Sequence, residues 1–305
     1  MKNYLRNHID SYYLPNSSTA PGIKRHENRY GWKDYYIGQH LIFSHRTTVY
    51  DREGFPNILH SHRYYEVVIY ISGDISYVAN EREYLPSRDD IIIFSPGCMH
   101  TARMQENCSY DRYVIYFDPE ILDFLGEGCL PEIFSQGSAN CLSVLPNYRA
   151  EFYYIRERII DKLHAEDDDA AIEAFAYILQ LFHLIAKHTH VNRSRVAEIP
   201  QKVLDVKRYV DHNFQSISTT TEIANHFFYS REYVSRIFKQ YFNTNLSDYL
   251  INQKISYAKQ LLSQGNSISF TCNAAGFKSS SAFINAFRQR TQQTPSEYRK
   301  AHRDE

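Results

Sequence analysis

At 305 residues the chain exceeds the size at which one hydrophobic core keeps growing, so two domains are expected. Its formal net charge of −1 hides a split: residues 200–305 hold 14 Lys+Arg against 8 Asp+Glu, a net of +6, which leaves −7 for residues 1–199 and points to a polyanion partner for the basic tail. No run approaches twenty apolar residues, so no membrane-spanning helix is expected, and Met1 to Asp10 lack the apolar stretch of an export signal, which places the chain in the cytoplasm.

From about Tyr35 to Phe117 the chain reads as short strands, among them 40–43, 66–71, 75–78, 90–94 and 113–117, rich in β-branched and aromatic residues. Gly73-Asp74, Asn80-Glu81 and Pro96-Gly97 supply turn chemistry between them. Closely spaced short strands predict a barrel or sandwich. Cys98, Cys108, Cys129, Cys141 and Cys272 are odd in number and form no CxxC pair, so reduced thiols are expected rather than a zinc or redox site.

One polar constellation interrupts these strands: Gly54, His60-Ser61-His62, Glu66, Gly73 and Ser95-Pro96-Gly97-Cys98-Met99-His100. If residues 60–66 are extended, His60, His62 and Glu66 share one face, because side chains alternate with period two, and the Pro96-Gly97 turn can return His100 to the same interior. Tyr64 has the same parity and offers a ring to stack on a ligand. Three readings compete: ligands of a divalent metal in an enzyme barrel, polar contacts to a small effector with or without metal, and an inherited structural cluster.

After about Pro146 the period becomes helical. Phe152, Ile155, Ile159 and Ile160 form one stripe, and Ala171, Phe175, Ile178, Leu179, Phe182 and Ile185 another, separated by Glu166-Asp167-Asp168-Asp169. This helical hairpin either packs on the barrel or forms a dimer seam. Residues 188–200 are polar and basic without periodicity and read as an interdomain linker.

Beyond the linker everything reads as helix. Val203, Val206, Tyr209, Val210 and Phe214 share a face, and then a pattern occurs twice at an offset of 49 residues. Phe238-Lys239-Gln240 returns as Phe287-Arg288-Gln289, Tyr249 as Tyr298 and Ser230 as Ser279. Each unit is a short helix (Thr221 to His226; Ser269 to Ala274), a turn, and a second helix capped by the serine, with a connecting helix from about Leu246 to Gln264 between the units. A helix that enters a groove about 12 Å wide must show polar groups outward and bury its other face. In the first unit Arg231, Glu232, Ser235, Arg236 and Lys239 are left to face outward; in the second, Ser280, Ser281, Ile284, Asn285 and Arg288. Arg236 suits a guanine edge, whereas Lys239 and Arg288 suit phosphates.

Ile223-Ala224, Ser230-Arg231-Glu232-Tyr233-Val234-Ser235-Arg236-Ile237-Phe238-Lys239, Ala258-x-x-Leu261-Leu262, Gly276-Phe277, Phe283-x-x-x-Phe287-Arg288 and Thr294-Pro295-x-x-Tyr298-Arg299 together resemble the AraC/XylS family of transcription regulators. The spacing around Gly54, His60, His62, Glu66, Gly73 and His100 resembles the cupin motif pair, on which sensors of that family are commonly built. The resemblance implies an α+β two-domain chain: a cupin-like effector barrel with an N-terminal arm (1–146), a hairpin that is a candidate dimerisation region (147–187), a linker (188–200) and an all-α double helix-turn-helix domain (201–305). It further implies a regulator rather than an enzyme, a homodimer on double-stranded DNA, a small polar effector such as a sugar, and contact with RNA polymerase. The rival reading is a metal-dependent cupin enzyme with a helical appendage. Thr271-Cys272, Asn285 and Gln292 depart from the family pattern, so the first unit is expected to carry more of the specificity.

Overall fold

The computed structural model describes residues 23–27, 32–37, 40–49, 59–104, 108–123, 134, 139–165 and 169–301. Gly54, Cys129 and the acidic residues Glu166, Asp167 and Asp168 of the predicted inter-helix link lie outside them, as does the arm before Ile23. The chain divides into two compact units, one carrying the strands and ending at Glu198, the other beginning at Ile199.

The first unit is built from β1 (Ile23–Glu27), β2 (Lys33–Ile37), β3 (Leu41–Val49), β4 (Tyr65–Ser72), β5 (Ile75–Ala79), β6 (Arg82–Tyr84), β7 (Ile91–Phe94), β8 (His100–Met104), β9 (Ser109–Phe117), β10 (Ala139–Val144), β11 (Thr189–Val191) and β12 (Val196–Glu198). Among the described residues they form an eight-stranded sheet, β1-β2-β3-β9-β4-β7-β10-β11, and a four-stranded sheet, β12-β6-β5-β8. Rings from the two sheets pack against each other, as in the tilted pair Tyr77–Phe94 and the stacked pair Phe94–His100, which gives the cupin-like double layer. Asn80 and Glu81, both at positive φ, make the two-residue turn between β5 and β6. Gly73 has no room for a side chain, because a Cβ there would lie 2.8 Å from the Ser109 carbonyl oxygen.

Period-two alternation gives the large sheet two different faces. Leu41 and Phe43, Tyr65, Val67 and Ile69, Ile91 and Ile93, and Ile115 and Phe117 point to one side and are buried with helices α2 (Arg149–His164) and α3 (Ala170–His188); a short helix α1 (Glu120–Asp123) precedes them. Their neighbours of opposite parity, Ser44, Arg46 and Thr48, Glu66, and Arg112 and Tyr116, are also buried, on the side of the small sheet.

The hairpin packs on the large sheet. Phe152, Ile155, Ile159 and Leu163 of α2, and Ala174, Ile178, Leu181, Phe182 and Ile185 of α3, are buried in the shared core, while Ala171, Phe175 and Leu179 flank it half-buried. α3 also corrects the expectation about apolar runs: with 19 residues and mean hydropathy 1.3 it has the length and composition of a membrane span. Its buried side chains face the sheet, so the same composition serves a protein core. Residues 188–200 are not a loose connector either. β11 pairs with β10 and β12 with β6, so this stretch adds an edge strand to each sheet in turn; three-residue strands are too short to leave a periodicity signal.

The second unit contains α4 (Gln201–Asn213), α5 (Thr220–His226), α6 (Arg231–Phe242), α7 (Leu246–Ser263), α8 (Ile268–Ala274), α9 (Ser280–Thr291) and α10 (Pro295–Ala301). Thr219, Ser230, Ser267 and Ser279 each cap the helix that follows by accepting a backbone N–H. The repeat offset is 48 at the first pair of caps and 49 at the second, because the second turn holds one more residue.

Candidate effector site and DNA-facing helices

The four polar residues singled out in the first unit do converge, although not on a continuous strand. His60 sits in an isolated bridge opposite His100, with reciprocal backbone hydrogen bonds of 3.0 and 2.8 Å, the chain bends at Arg63 and Tyr64, and β4 starts only at Tyr65. One ligand atom from each of His60, His62, Glu66 and His100 lies within 4.8 Å of the other three. The Nε2 atoms of His62 and His100 both face Glu66 Oε2, at 3.0 and 3.1 Å. Their Nδ1 atoms face the carbonyls of Tyr64 and Cys98, at 2.8 and 2.9 Å, and a carbonyl only accepts, so each Nδ1 carries a proton. A neutral ring would then aim an Nε2 lone pair at a carboxylate oxygen. Two such contacts on one oxygen require a proton or a cation between them, and imidazoles fixed by backbone carbonyls are the arrangement of metal-bound histidines. The donor set therefore fits a divalent ion.

Burial by itself raises the Glu66 carboxyl pKa, but the facing His100 and His62 side chains outweigh it and hold Glu66 well below the ordinary carboxylate range. Burial, then the Glu66 carboxylate, push the thiol of Cys98, two residues from His100, up to about 12. Tyr64 stacks on His62 with centroids 4.1 Å apart, so one face of the ring proposed for a ligand is taken by the imidazole.

Sequence reasoning missed the rest of this interior. Tyr116 Oη donates to Glu66 Oε1 at 3.3 Å and accepts from Arg46 Nη1 at 3.0 Å. Arg46 also donates to Ser44 Oγ at 2.7 Å and pairs with Asp34 at 3.4 Å. Trp32, 3 % exposed, lies under both Arg46 and Arg112, whose guanidinium carbons are 4.7 and 5.5 Å from its ring. The available signal was parity: Ser44, Arg46 and Thr48 alternate with Phe43 and His45, placing an arginine in the middle of an inward face.

In the second unit Val234, Ile237, Phe238 and Phe242 of α6 are buried, while Arg231, Glu232, Arg236 and Lys239 are exposed and Ser235 is half-buried. On α9 Phe283 and Phe287 are buried and Ser280, Ser281, Ile284, Asn285 and Arg288 exposed. Arg236 lies along the Tyr233 ring, 5.6 Å from its centroid, and among the described residues none of Arg231, Arg236, Lys239 and Arg288 is in an ion pair.

Both helices pack on α7. Two residues not foreseen tie the units to it. Lys254, 5 % exposed, donates to the carbonyls of Ile217 at 2.8 Å and Gly276 at 2.7 Å. Arg290 of α9 donates to Asn252 at 2.7 Å and Asp248 at 2.8 Å. Lys254 was legible as the one charge on the stripe Leu250-Lys254-Ala258-Leu261.

The AraC-like ligand binding domain family matches residues 44–201, more than half of the chain, and a helix-turn-helix domain family matches residues 223–301. The HTH-type transcriptional regulator YisR of Bacillus subtilis is 24% identical over 248 residues, 76% of this chain and 85% of that protein. The arabinose operon regulatory protein of Escherichia coli is 26% identical over 225 residues, 72% of this chain and 74% of that one. The HTH-type regulator YijO of Escherichia coli is 30% identical over 96 residues, 31% of this chain, and the alignment spans only 34% of YijO.

Proposed function

The chain belongs to the AraC family of DNA-binding transcription regulators, and on that premise we propose that a small polar effector in the interior of the first unit controls how α6 and α9 engage operator DNA in the cytoplasm. The domains are those of a regulator and not of an enzyme. The observation that carries the proposal is the pair of capped helices anchored on α7, each with its apolar side buried and its polar side in solvent.

Arg231, Glu232, Ser235 and Arg236 on α6, and Ser280, Ser281 and Asn285 on α9, face base edges; Lys239 and Arg288 hold phosphates. A homodimer would place two copies on paired half-sites, with RNA polymerase as the downstream contact. His60, His62, Glu66 and His100 bind the effector directly or through a divalent cation, which as a Lewis acid would anchor an effector oxygen, and Tyr64 positions His62. A sugar fits this site in kind, since the arabinose operon regulator is among the relatives.

Coupling has a short route through paired strands. Tyr77 on β5 is registered with Tyr84 on β6, and Tyr84 with Val196 on β12, the last strand before the DNA-binding unit. An effector that prefers one position of this edge would bias the unit that follows, to the extent of its difference in affinity for the two states.

Genome-wide footprinting of the purified chain identifies the operator, and binding to it at several salt concentrations tests the reading. Arg236→Ala should weaken operator binding far more than binding to random DNA, whereas Lys239→Ala should lower both alike and flatten the salt slope. Equal losses for Arg236→Ala on both DNAs would remove its base-reading role.

A further inference from the structure

Within the interior taken above as the effector site, two buried arginines are treated differently. Arg46 is neutralised by Asp34 and held by Ser44 and Tyr116. Arg112, 7 % exposed, uses only Nη1, which donates to Thr48 Oγ1 at 2.8 Å and, at longer range, to the carbonyls of Arg46 and Tyr110 at 3.3 and 3.4 Å. Among the described residues its Nε and Nη2 have no acceptor, and no carboxylate lies within ion-pair distance. A buried guanidinium without a direct ion pair is costly, and burial pulls its pKa below the ordinary value.

A second unsatisfied group, from the opposite sheet, packs on the same Tyr110 ring. The Arg112 guanidinium lies 4.1 Å from the centroid of the Tyr110 ring, and Tyr77 of β5 meets the same ring edge-on at 6.3 Å. Tyr77 is 4 % exposed and, among the described residues, its hydroxyl is buried without a hydrogen-bond partner. Buried donors of this kind are rare in folded proteins, and each calls for an acceptor.

We propose that Arg112 and Tyr77 receive an anionic group, carboxylate or phosphate, so that the effector is an acid rather than a neutral sugar. The free edge of a guanidinium, Nε with Nη2, matches two oxygens of such a group in parallel, and the tyrosine hydroxyl can donate a third hydrogen bond. The anion also supplies the direct ion pair that Arg112 lacks. Histidines and Glu66 would then face the polyol or other polar remainder of the molecule. This inference rests on the effector reading of the interior but adds the ligand's charge.

Isothermal titration of the full chain with D-galacturonate, D-glucuronate and D-glucose 6-phosphate, beside D-galactose, D-glucose and L-arabinose, tests it. An acid or a phosphate ester should saturate, with the neutral counterpart at least tenfold weaker, and the sugar acids against the phosphate ester tell the two kinds of anion apart. Arg112→Gln should lose tenfold or more for the anion, with partial recovery in Arg112→Lys, and Tyr77→Phe should lose several-fold. Failure of every anion to titrate, a neutral sugar that binds more tightly than its acid, or an anion affinity within twofold of wild type in Arg112→Gln overturns the assignment. Should Arg112→Gln not fold, as judged by circular dichroism, Tyr77→Phe decides: unchanged anion affinity there also overturns it. Operator affinity separates the two levels of the account. A neutral sugar that binds and alters operator affinity keeps the sensor and sinks the anion; an anion bound through Arg112 that leaves operator affinity unchanged keeps the anion and sinks the sensor.

Discussion

In the first helix-turn-helix unit the left-handed turn position is held by Phe228, at φ +57° and 97 % exposed; in the second it is held by Gly276, at φ +75°, where a Cβ would lie 1.9 Å from the Gln215 carbonyl oxygen. The same backbone conformation is open to a large aromatic in one copy and closed to a single carbon in the other. The burial differs in the same sense. Ile223-Ala224 of α5 becomes Thr271-Cys272 in α8, and the four buried side chains of α6 become two on α9, supplemented by the Arg290 ties to Asn252 and Asp248. A duplicated unit can thus keep its outline while one copy is held by apolar packing and the other by close approach and polar ties.

That contrast is sharpest at Gly276. Gly276→Ala should destabilise the chain by about 3 kcal/mol or more, through backbone collision and left-handed strain, whereas Phe228→Ala should stay within about 1 kcal/mol. Urea denaturation of the full chain measures both, and similar losses at the two positions would break the comparison. Lys254→Met comes next. It leaves the Ile217 and Gly276 carbonyls without their donor and should cost roughly 2–3 kcal/mol, with the second unit loosening most in hydrogen exchange around residues 268–280.

Between the outward faces, Arg236→Ala should remove about 2 kcal/mol of discrimination against mutated operators, and Asn285→Ala less than about 1 kcal/mol. Competition binding gives both numbers, and a larger loss at Asn285 would reverse the expected ranking of the units. The smallest effect concerns Thr271, fully buried and, among the described residues, with no partner for its hydroxyl, where the first unit has Ile223. Thr271→Val should stabilise by about 1 kcal/mol, read as a higher denaturation midpoint at unchanged slope.

The helical unit was legible because duplication, capping serines and 3.6-residue stripes are local signals, and each survives in the helices observed. Asn243 and Gln292, one residue past α6 and α9, are both left-handed. The histidine–glutamate cluster was legible as chemistry, but its stated geometry was not: a bend at Arg63 and Tyr64 replaces the continuous strand, and the cross-sheet bridge between His60 and His100 does the positioning. Arg112 and Tyr77 could not be paired from sequence, since their meeting on Tyr110 depends on how two sheets face each other. The short strands β11 and β12 escaped for the same reason, because they exist only through edges supplied by distant residues.

Hydroxyl-radical footprinting on the operator, with wild type, Arg236→Ala and Asn285→Ala, tests the two-helix account most directly. Two protected stretches separated by one turn of duplex, about ten base pairs, are predicted, with each variant weakening its own stretch first. A single protected stretch that both variants weaken together, or protection indifferent to both, would contradict it.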